Sequence, residues 1–143
     1  MKKVKLLGFL FSGLLSLTAC TSTPPTNDPE ALAEYALEKF RQRDYDALKK
    51  CADDKLVHDI TQMEIANETA KTDAGLNEES KQKYEEGEKF WKENFTDPTF
   101  KKTDVDDYGK NGKKVHFECS KGRLNIVVEK NDGKWVLHKI NLF

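Results

Sequence analysis

The feature that most constrains the fold is a change in the spacing of apolar residues near Pro98. Before it they recur every three or four positions, as on one face of an α-helix, and after it they alternate with polar residues, as in a half-buried β-strand. Glycine-containing turns at 109–112, 120–122 and 131–133 divide the second half into four segments. Because turns this short join antiparallel neighbours, the sequence predicts an α+β fold, with N-terminal helices packed on one face of an antiparallel four-stranded meander.

The helical half is divided by helix-start signals and a polar stretch. Asp28 precedes Pro29, and this pair is typical of a helix start, because Asp accepts hydrogen bonds from the first free N–H groups and proline at the first helical position needs no partner. Asp44 is a second candidate cap. The predicted elements are helices over residues 29–42, 45–55, 56–65 and 78–95, with a loop over 67–77.

The alternation predicts which residues of the second and third strands face the core, but in the last strand it leaves two possibilities. In the last strand, Trp135 and Leu137 lie on one phase, whereas Val136, Ile140 and Leu142 lie on the other. Such a strand is either buried on both sides or presents its outer face to a partner. In the second and third strands, the residues predicted to face the core are Val115, Phe117, Cys119, Leu124, Ile126 and Val128.

The first twenty residues, MKKVKLLGFLFSGLLSLTAC, combine a basic head with an uncharged apolar run. This pattern is typical of a secretory signal peptide, and the run is short for a membrane-spanning helix. Its end, Leu17 to Cys20, resembles the lipobox of bacterial lipoproteins. The resemblance implies that residues 1–19 are removed and that Cys20 carries diacylglycerol and an N-linked acyl chain such as palmitate. The alternatives are an ordinary signal peptide or an uncut signal anchor.

The residues after Cys20 indicate where such a lipoprotein would lie. Thr21 stands where many lipoproteins retained at the inner membrane have aspartate, so the resemblance implies the outer membrane of a Gram-negative cell, on its periplasmic or its external face. Residues 20–27 contain Pro24 and Pro25 and are predicted to be the lipidated cysteine and a flexible tether. Residues 28–143 are enough for a single domain with one core.

The charge balance excludes one class of partner. The chain has 24 basic and 25 acidic side chains, and removal of residues 1–19 takes three lysines, which leaves 21 against 25 and a net charge of −4. Charged residues of both signs make up 34% of the chain. A mixed, slightly acidic surface is typical of a solvated domain and not of a nucleic-acid-binding protein.

Cys51 and Cys119 remain as an even pair in a domain predicted to be exported. Exported domains form disulfides, so a Cys51–Cys119 bridge is predicted. It would close a loop of roughly seventy residues and stabilise the fold by about 4 kcal/mol at most. The alternative is two separately buried thiols, each packing as a small hydrophobe.

Two segments carry a resemblance to a known family. RDYDALKK, residues 43–50, and VVEKNDGKWVLHKINLF, residues 127–143, resemble small bacterial lipoproteins of the nuclear-transport-factor-2-like (cystatin-like) superfamily, in particular a family described as a domain of unknown function. The order of helices and meander agrees over most of residues 28–143. The resemblance implies a cone-shaped fold with a pocket between the helices and the concave sheet, and homodimers formed through the sheet. It implies no activity.

Enzymes of that superfamily use an aspartate or histidine that projects into the cone, and the inward phase of these strands holds neither. No catalytic residue, cofactor or metal site is therefore predicted, and the chain is predicted not to be an enzyme. The three histidines, His58, His116 and His138, lack the close spacing of metal ligands. His116 and His138 share an outer sheet face if Trp135 points inward, so they are expected to approach each other across one strand.

The favoured function is a non-enzymatic binding module, anchored to the membrane by lipid, that holds a small apolar ligand or a protein of the cell envelope. One alternative is an isomerase or hydrolase in which Glu38, Asp44, Asp46 or a histidine reaches the pocket from a helix. Another is a structural subunit of an envelope complex. The predicted pocket residues are Tyr35, Phe40, Trp91, Phe117 and Trp135.

Overall fold

The structure is a computed structural model, and it describes residues 23–143. The predicted signal peptide, the lipidation site Cys20 and the first tether residues lie outside the described residues. Within residues 23–143, no helix combines the length and the apolar composition needed to cross a bilayer.

The described chain forms four helices followed by four strands. The helices are α1 (Pro29–Arg41), α2 (Tyr45–Cys51), α3 (Asp54–Asp73) and α4 (Glu78–Trp91), and a π-helical turn (Lys92–Thr96) continues α4. The strands are β1 (Lys101–Tyr108), β2 (Gly112–Cys119), β3 (Gly122–Asn131) and β4 (Lys134–Leu142). Each strand pairs antiparallel with the next, in the order β1-β2-β3-β4. This confirms the predicted α+β meander.

Side-chain caps set the helix starts, and one of them corrects the predicted boundaries. The Asp28 and Asp44 carboxylates accept backbone N–H groups at the starts of α1 and α2, as predicted. The Asp53 carboxylate accepts the Leu56 N–H at 2.9 Å and caps the start of α3. The predicted helix over 45–55 is therefore divided, and α2 ends at Cys51. The predicted loop over 67–77 is wrong, because α3 continues to Asp73 through residues that include good helix formers such as alanine, glutamate and lysine.

The core lies between α1 and the sheet. Two alanines of α1, Ala33 and Ala36, have no exposed surface, and their small side chains allow the helix to lie close to the strands. Five of the six residues predicted to face the core are at most 2% exposed, and the exception is the half-buried Cys119. The buried residues of α1 are Leu32, Ala33, Ala36, Leu37 and Phe40.

A β-bulge resolves the phase of the last strand. Val128 pairs with Leu137 and Val127 pairs with Lys139, so His138 is an extra residue on β4. An extra residue reverses the alternation of side chains between the two faces. Leu137 therefore faces the core before the bulge and Ile140 faces it afterwards, which explains why both phases of the sequence are apolar.

The predicted disulfide is wrong, because Cys51 and Cys119 are both free thiols. Cys51 is next to Ala52, which forms a bridge with Leu137, and Leu137 lies level with Lys113 of β2 across the sheet. Cys119 is six residues further along β2, or about 20 Å. A disulfide requires Cα atoms within about 7 Å, so shared burial of the two cysteines does not bring them together.

Candidate functional site

An open groove of about 380 Å³ lies where the end of α4, the start of β1 and the end of β4 meet. We call it the aromatic groove. Its apolar lining consists of Phe90, Trp91, Phe95, Phe100, Leu142 and Phe143. Cys119 and the exposed Lys121 and Arg123 also line it. A largely apolar depression with a few polar groups is the usual form of a small-molecule site.

Closely packed aromatic rings, tilted or edge-on to one another, form the wall nearest the core. The Trp91 ring centroid lies 4.5 Å from that of Phe95 and 5.1 Å from that of Phe40. Phe95 also meets Phe40 edge-on at 5.6 Å. Ring pairs at these distances add about 0.5–1.5 kcal/mol each to the stability gained from burial. This wall is therefore continuous with the hydrophobic core.

Arg41, the last residue of α1, holds the chain after α4 in place. Its guanidinium donates to the carbonyl oxygens of Phe95 at 2.7 Å, Thr96 at 2.8 Å and Pro98 at 3.0 Å. The Trp91 indole N–H donates back to the Arg41 carbonyl at 3.1 Å. These carbonyls lie at or just beyond a helix end, where helical partners are missing, and a guanidinium is well suited to satisfy several at once.

The opposite wall is formed by the end of the chain. The Phe143 N–H donates to the Arg123 carbonyl at 3.1 Å. Gly122 lies beside it with φ +151°, and a Cβ there would be 2.9 Å from the Phe143 carbonyl oxygen. Only glycine allows this close approach, so Gly122 fixes the position of the last residue in the groove.

The groove is also the largest concentration of exposed apolar side chains on the described domain. Phe90 is 60% exposed, Leu142 is 51% exposed and Phe143 is 75% exposed, and all three line it. Single exposed apolar residues are ordinary, whereas a contiguous group is typical of an interaction site.

The predicted pocket residues do not surround one cavity. Phe40 and Phe117 are buried in the core, at 3% and 2% exposure, where they pack in one cluster with residues of α1 and the sheet. Tyr35 and Trp135 pack against the edge of the same core. Of the five, Trp91 lines the aromatic groove.

The carboxylates considered for catalysis make local contacts at the end of α1 and at the start of α2. Glu38 accepts from Arg41 and Gln42, Asp44 caps α2, and Asp46 pairs with Lys49. None of these three acids lines the aromatic groove.

The two strand histidines do not meet. His116 pairs with Asp106 at 2.9 Å, on the outer face of the sheet. His138 pairs with Asp53 at the start of α3. Since His116 lies level with Asn141 across the sheet, His138 is about 10 Å further along β4. Among residues 23–143, no three His, Cys, Asp or Glu side chains are grouped closely enough to hold a metal ion.

The outer face also carries a polar depression of about 350 Å³ beside His116. Asn125 forms part of it, and the Oδ1 atom of this 9% exposed side chain has no hydrogen-bond partner. Asp104, Asp106 and Glu118 line the same depression, together with Arg123. Acceptors outnumber donors here, and the depression lacks the apolar wall of the aromatic groove.

The two thiols differ in environment. Burial raises the pKa of the Cys51 thiol to about 11, and its Sγ donates to the Leu48 carbonyl at 3.4 Å. Such a thiol is inert at neutral pH, because the thiolate is the nucleophile. Cys119 is half-buried at the aromatic groove, where its Sγ accepts from the Lys121 N–H at 3.4 Å.

Comparisons with known proteins give no relative: no protein-family model, curated protein or solved structure matches this chain.

Sequence reasoning missed most residues of the groove. Phe90 lies off the line of apolar residues at three- and four-residue spacing that contains Tyr84, Trp91 and Phe95. An aromatic residue off the apolar stripe of a helix is a candidate for exposure, and Phe90 is 60% exposed, so the sequence held a signal for this residue. The meeting of Phe90 with Leu142 and Phe143 had no such signal, because it depends on how α4 docks beside the sheet.

Proposed function

We propose that this chain is a lipid-anchored, non-enzymatic binding module of the bacterial cell envelope, and that the aromatic groove binds a small ligand with a largely apolar body. The observation that carries the proposal is the cluster of Phe90, Leu142 and Phe143, three exposed apolar side chains around one groove. Leaving them in water is unfavourable by roughly 25 cal/mol per Å² of apolar surface, so a ligand that covers them is stabilised.

The lining of the groove also indicates which parts of the ligand are apolar and which are polar. The groove's volume, about 380 Å³, falls in the range of small-molecule sites. Lys121 and Arg123 line it beside the apolar wall. Arg123 forms an ion pair with Glu118, with 3.3 Å between Nε and Oε1. An apolar tail along the rings with an anionic or strongly polar end near Lys121 fits this arrangement.

The anchor and the family remain part of the proposal. Support for the anchor comes from the lipobox-like end of the first segment at Cys20 and from the polar tether that follows it. The helices-then-meander order supports membership of the nuclear-transport-factor-2-like superfamily. The proposed site is the aromatic groove at one end of the sheet, where the end of α4 meets the end of β4.

Native mass spectrometry of the full chain, gently extracted from bacterial membranes, tests the proposal. We expect the mass of a lipid on Cys20, absent from the Cys20→Ala variant, and a retained small apolar molecule. The retained molecule is expected to be lost from the double variant Phe90→Ser/Phe143→Ser. Leu76→Ser is the matched control, because Leu76 is 74% exposed but lies outside the groove.

Two results contradict the proposal. Retention of the small molecule by Phe90→Ser/Phe143→Ser means that it binds elsewhere. A retained protein that dissociates from the same double variant, and not from Leu76→Ser, makes the groove a protein interface and the chain an assembly subunit.

A further inference from the structure

The tether joins the domain at a defined end of the sheet. The Thr26 carbonyl accepts the Trp135 N–H at 2.7 Å, so the chain leading back to Cys20 leaves beside the start of β4. Thr26 is six positions after Cys20, and six extended residues span at most about 20 Å. A bilayer that holds Cys20 is therefore within about 20 Å of Trp135.

Two lysine-rich turns lie at this same end. GKNGK, residues 109–113, joins β1 to β2, and KNDGK, residues 130–134, joins β3 to β4. The Lys130 N–H donates to the Asn111 carbonyl at 2.8 Å, which places the two turns side by side. We call them the basic edge.

The basic edge differs in charge from the rest of the domain. It contains four lysines and one acid, Asp132, on a chain that is net acidic after removal of residues 1–19. In the described structure Lys113 pairs with Asp107, whereas Lys110 and Lys134 are exposed and make no ion pair. Lys130 lies 5.9 Å from the centroid of the half-buried Trp135 ring. Lysines beside an amphipathic aromatic ring are typical of a membrane interface.

We propose that the basic edge rests on anionic phospholipid head groups, so that the aromatic groove opens away from the bilayer. This inference depends on the proposed lipid anchor. Gly122, in the groove, is eight residues along β3 from Lys130 of the basic edge, or about 26 Å. The ligand then enters from the aqueous side of the domain and not from the membrane that anchors it.

The two tryptophans of the chain are natural probes of this orientation, because Trp91 lies in the groove and Trp135 lies at the basic edge. The full lipidated chain is placed in phosphatidylcholine vesicles with or without phosphatidylglycerol, and a head-group nitroxide lipid is the quencher. Trp91→Phe reports on Trp135 and Trp135→Phe reports on Trp91, after circular dichroism has confirmed that both are folded. We expect quenching of Trp135 in the anionic vesicles and little quenching of Trp91.

Charge reversal separates this contact from simple tethering. Lys110→Glu/Lys134→Glu is expected to abolish the selective quenching of Trp135, and the matched control Lys71→Glu/Lys81→Glu, on the exposed faces of α3 and α4, is expected to preserve it. Equal quenching of both tryptophans, or quenching of Trp135 that survives Lys110→Glu/Lys134→Glu, overturns the proposal.

A second measurement distinguishes failure of this contact from failure of the anchor. A chain that begins at Thr21 has no lipid, and its co-sedimentation with phosphatidylglycerol vesicles reports the basic edge alone. Each lysine close to an anionic surface strengthens binding by about fivefold, so Lys110→Glu/Lys134→Glu should weaken co-sedimentation by about 25-fold or more. An unchanged affinity overturns the contact, whereas release of the full chain by alkaline carbonate contradicts only the anchor.

Discussion

Helices α1 and α4 have nearly the same length, 13 and 14 residues, but they are buried to very different extents. Five residues of α1 are buried against the sheet, and no residue of α4 is buried. Both sequences have an apolar stripe. An apolar stripe is therefore buried only where another apolar surface packs against it. Helix α1 packs on the sheet, whereas α4 packs beside α3 and contacts the core through Trp91.

Beyond Ile60 the α3–α4 hairpin buries no residue, and two ion pairs, Lys49–Glu64 and Arg43–Glu88, join it to the rest of the domain. Asn77 caps α4 through the Ser80 N–H at 2.8 Å, and Lys83 pairs with Glu79 one turn away at 2.7 Å. A gap of about 300 Å³ lies between the two helices, where Tyr84 and Gly87 face α3. Such exposed pairs contribute only a few tenths of a kcal/mol each, so we expect the hairpin to open at lower free energy than the core.

The largest expected effect comes from matched truncations in the two regions. Ile126→Ala, at a fully buried position of β3, should lower the free energy of unfolding by about 2–5 kcal/mol, because it leaves a cavity in a packed core. Tyr84→Ala, at a half-buried position of α4, should cost about 1 kcal/mol or less. Urea denaturation of both variants measures the difference. Equal losses of unfolding free energy would show that Tyr84 is packed as tightly as Ile126, which contradicts the difference between the hairpin and the core.

An intermediate effect is expected from the pH dependence of the core. The pKa of Cys51 is about 11 in the folded chain against an ordinary value of 9.0, so the unfolded thiol loses its proton first as the pH rises. Stability is therefore fully present below pH 9 and falls between pH 9 and 11, by about 2 kcal/mol at pH 10.5. Burial also raises the pKa of Tyr35 and Tyr45. The Tyr45 contribution remains in every cysteine variant, whereas Cys51→Ala also removes the Cys51 charge that adds to the raised pKa of Tyr35.

Cysteine variants isolate the Cys51 contribution. Urea denaturation at pH 8.5 and 10.5 should show a smaller loss for Cys51→Ala than for the unmodified chain, whereas Cys119→Ala should show the full loss. Thiol labelling at pH 8 gives an independent check, because the half-buried Cys119 should react before unfolding and Cys51 only after it. Identical pH dependence in both variants, or no free thiol in the unreduced chain, contradicts the structure of this core.

The smallest expected effect is an increase in the stability of α4. A Cβ at Gly87 would meet no atom within 4 Å, and glycine inside a helix is destabilising relative to alanine. Gly87→Ala should therefore stabilise α4 by about 0.5–1 kcal/mol. Amide hydrogen exchange should slow in α4 while the rates in β3 stay unchanged if the hairpin opens separately. Equal slowing in both elements would contradict separate opening.

The predictions from sequence succeeded where a local rule decides the structure. Asp28 and Asp44 cap helices as predicted, and the alternation of Leu124, Ile126 and Val128 gives the buried face of β3. They failed where distant segments meet. Cys51 and Cys119 share a buried character but lie far apart, and Phe40 fills the core where a pocket was predicted.

The sequence by itself determined the element order, the meander and the inward faces of β2 and β3, because caps, short turns and side-chain periodicity act within a few residues of each other. Only the tertiary structure decided the site. The bulge at His138 sets which residues of β4 face the core, and Arg41 fixes the chain after α4 beside Phe143. Both depend on contacts between residues far apart in the chain, which no local pattern specifies.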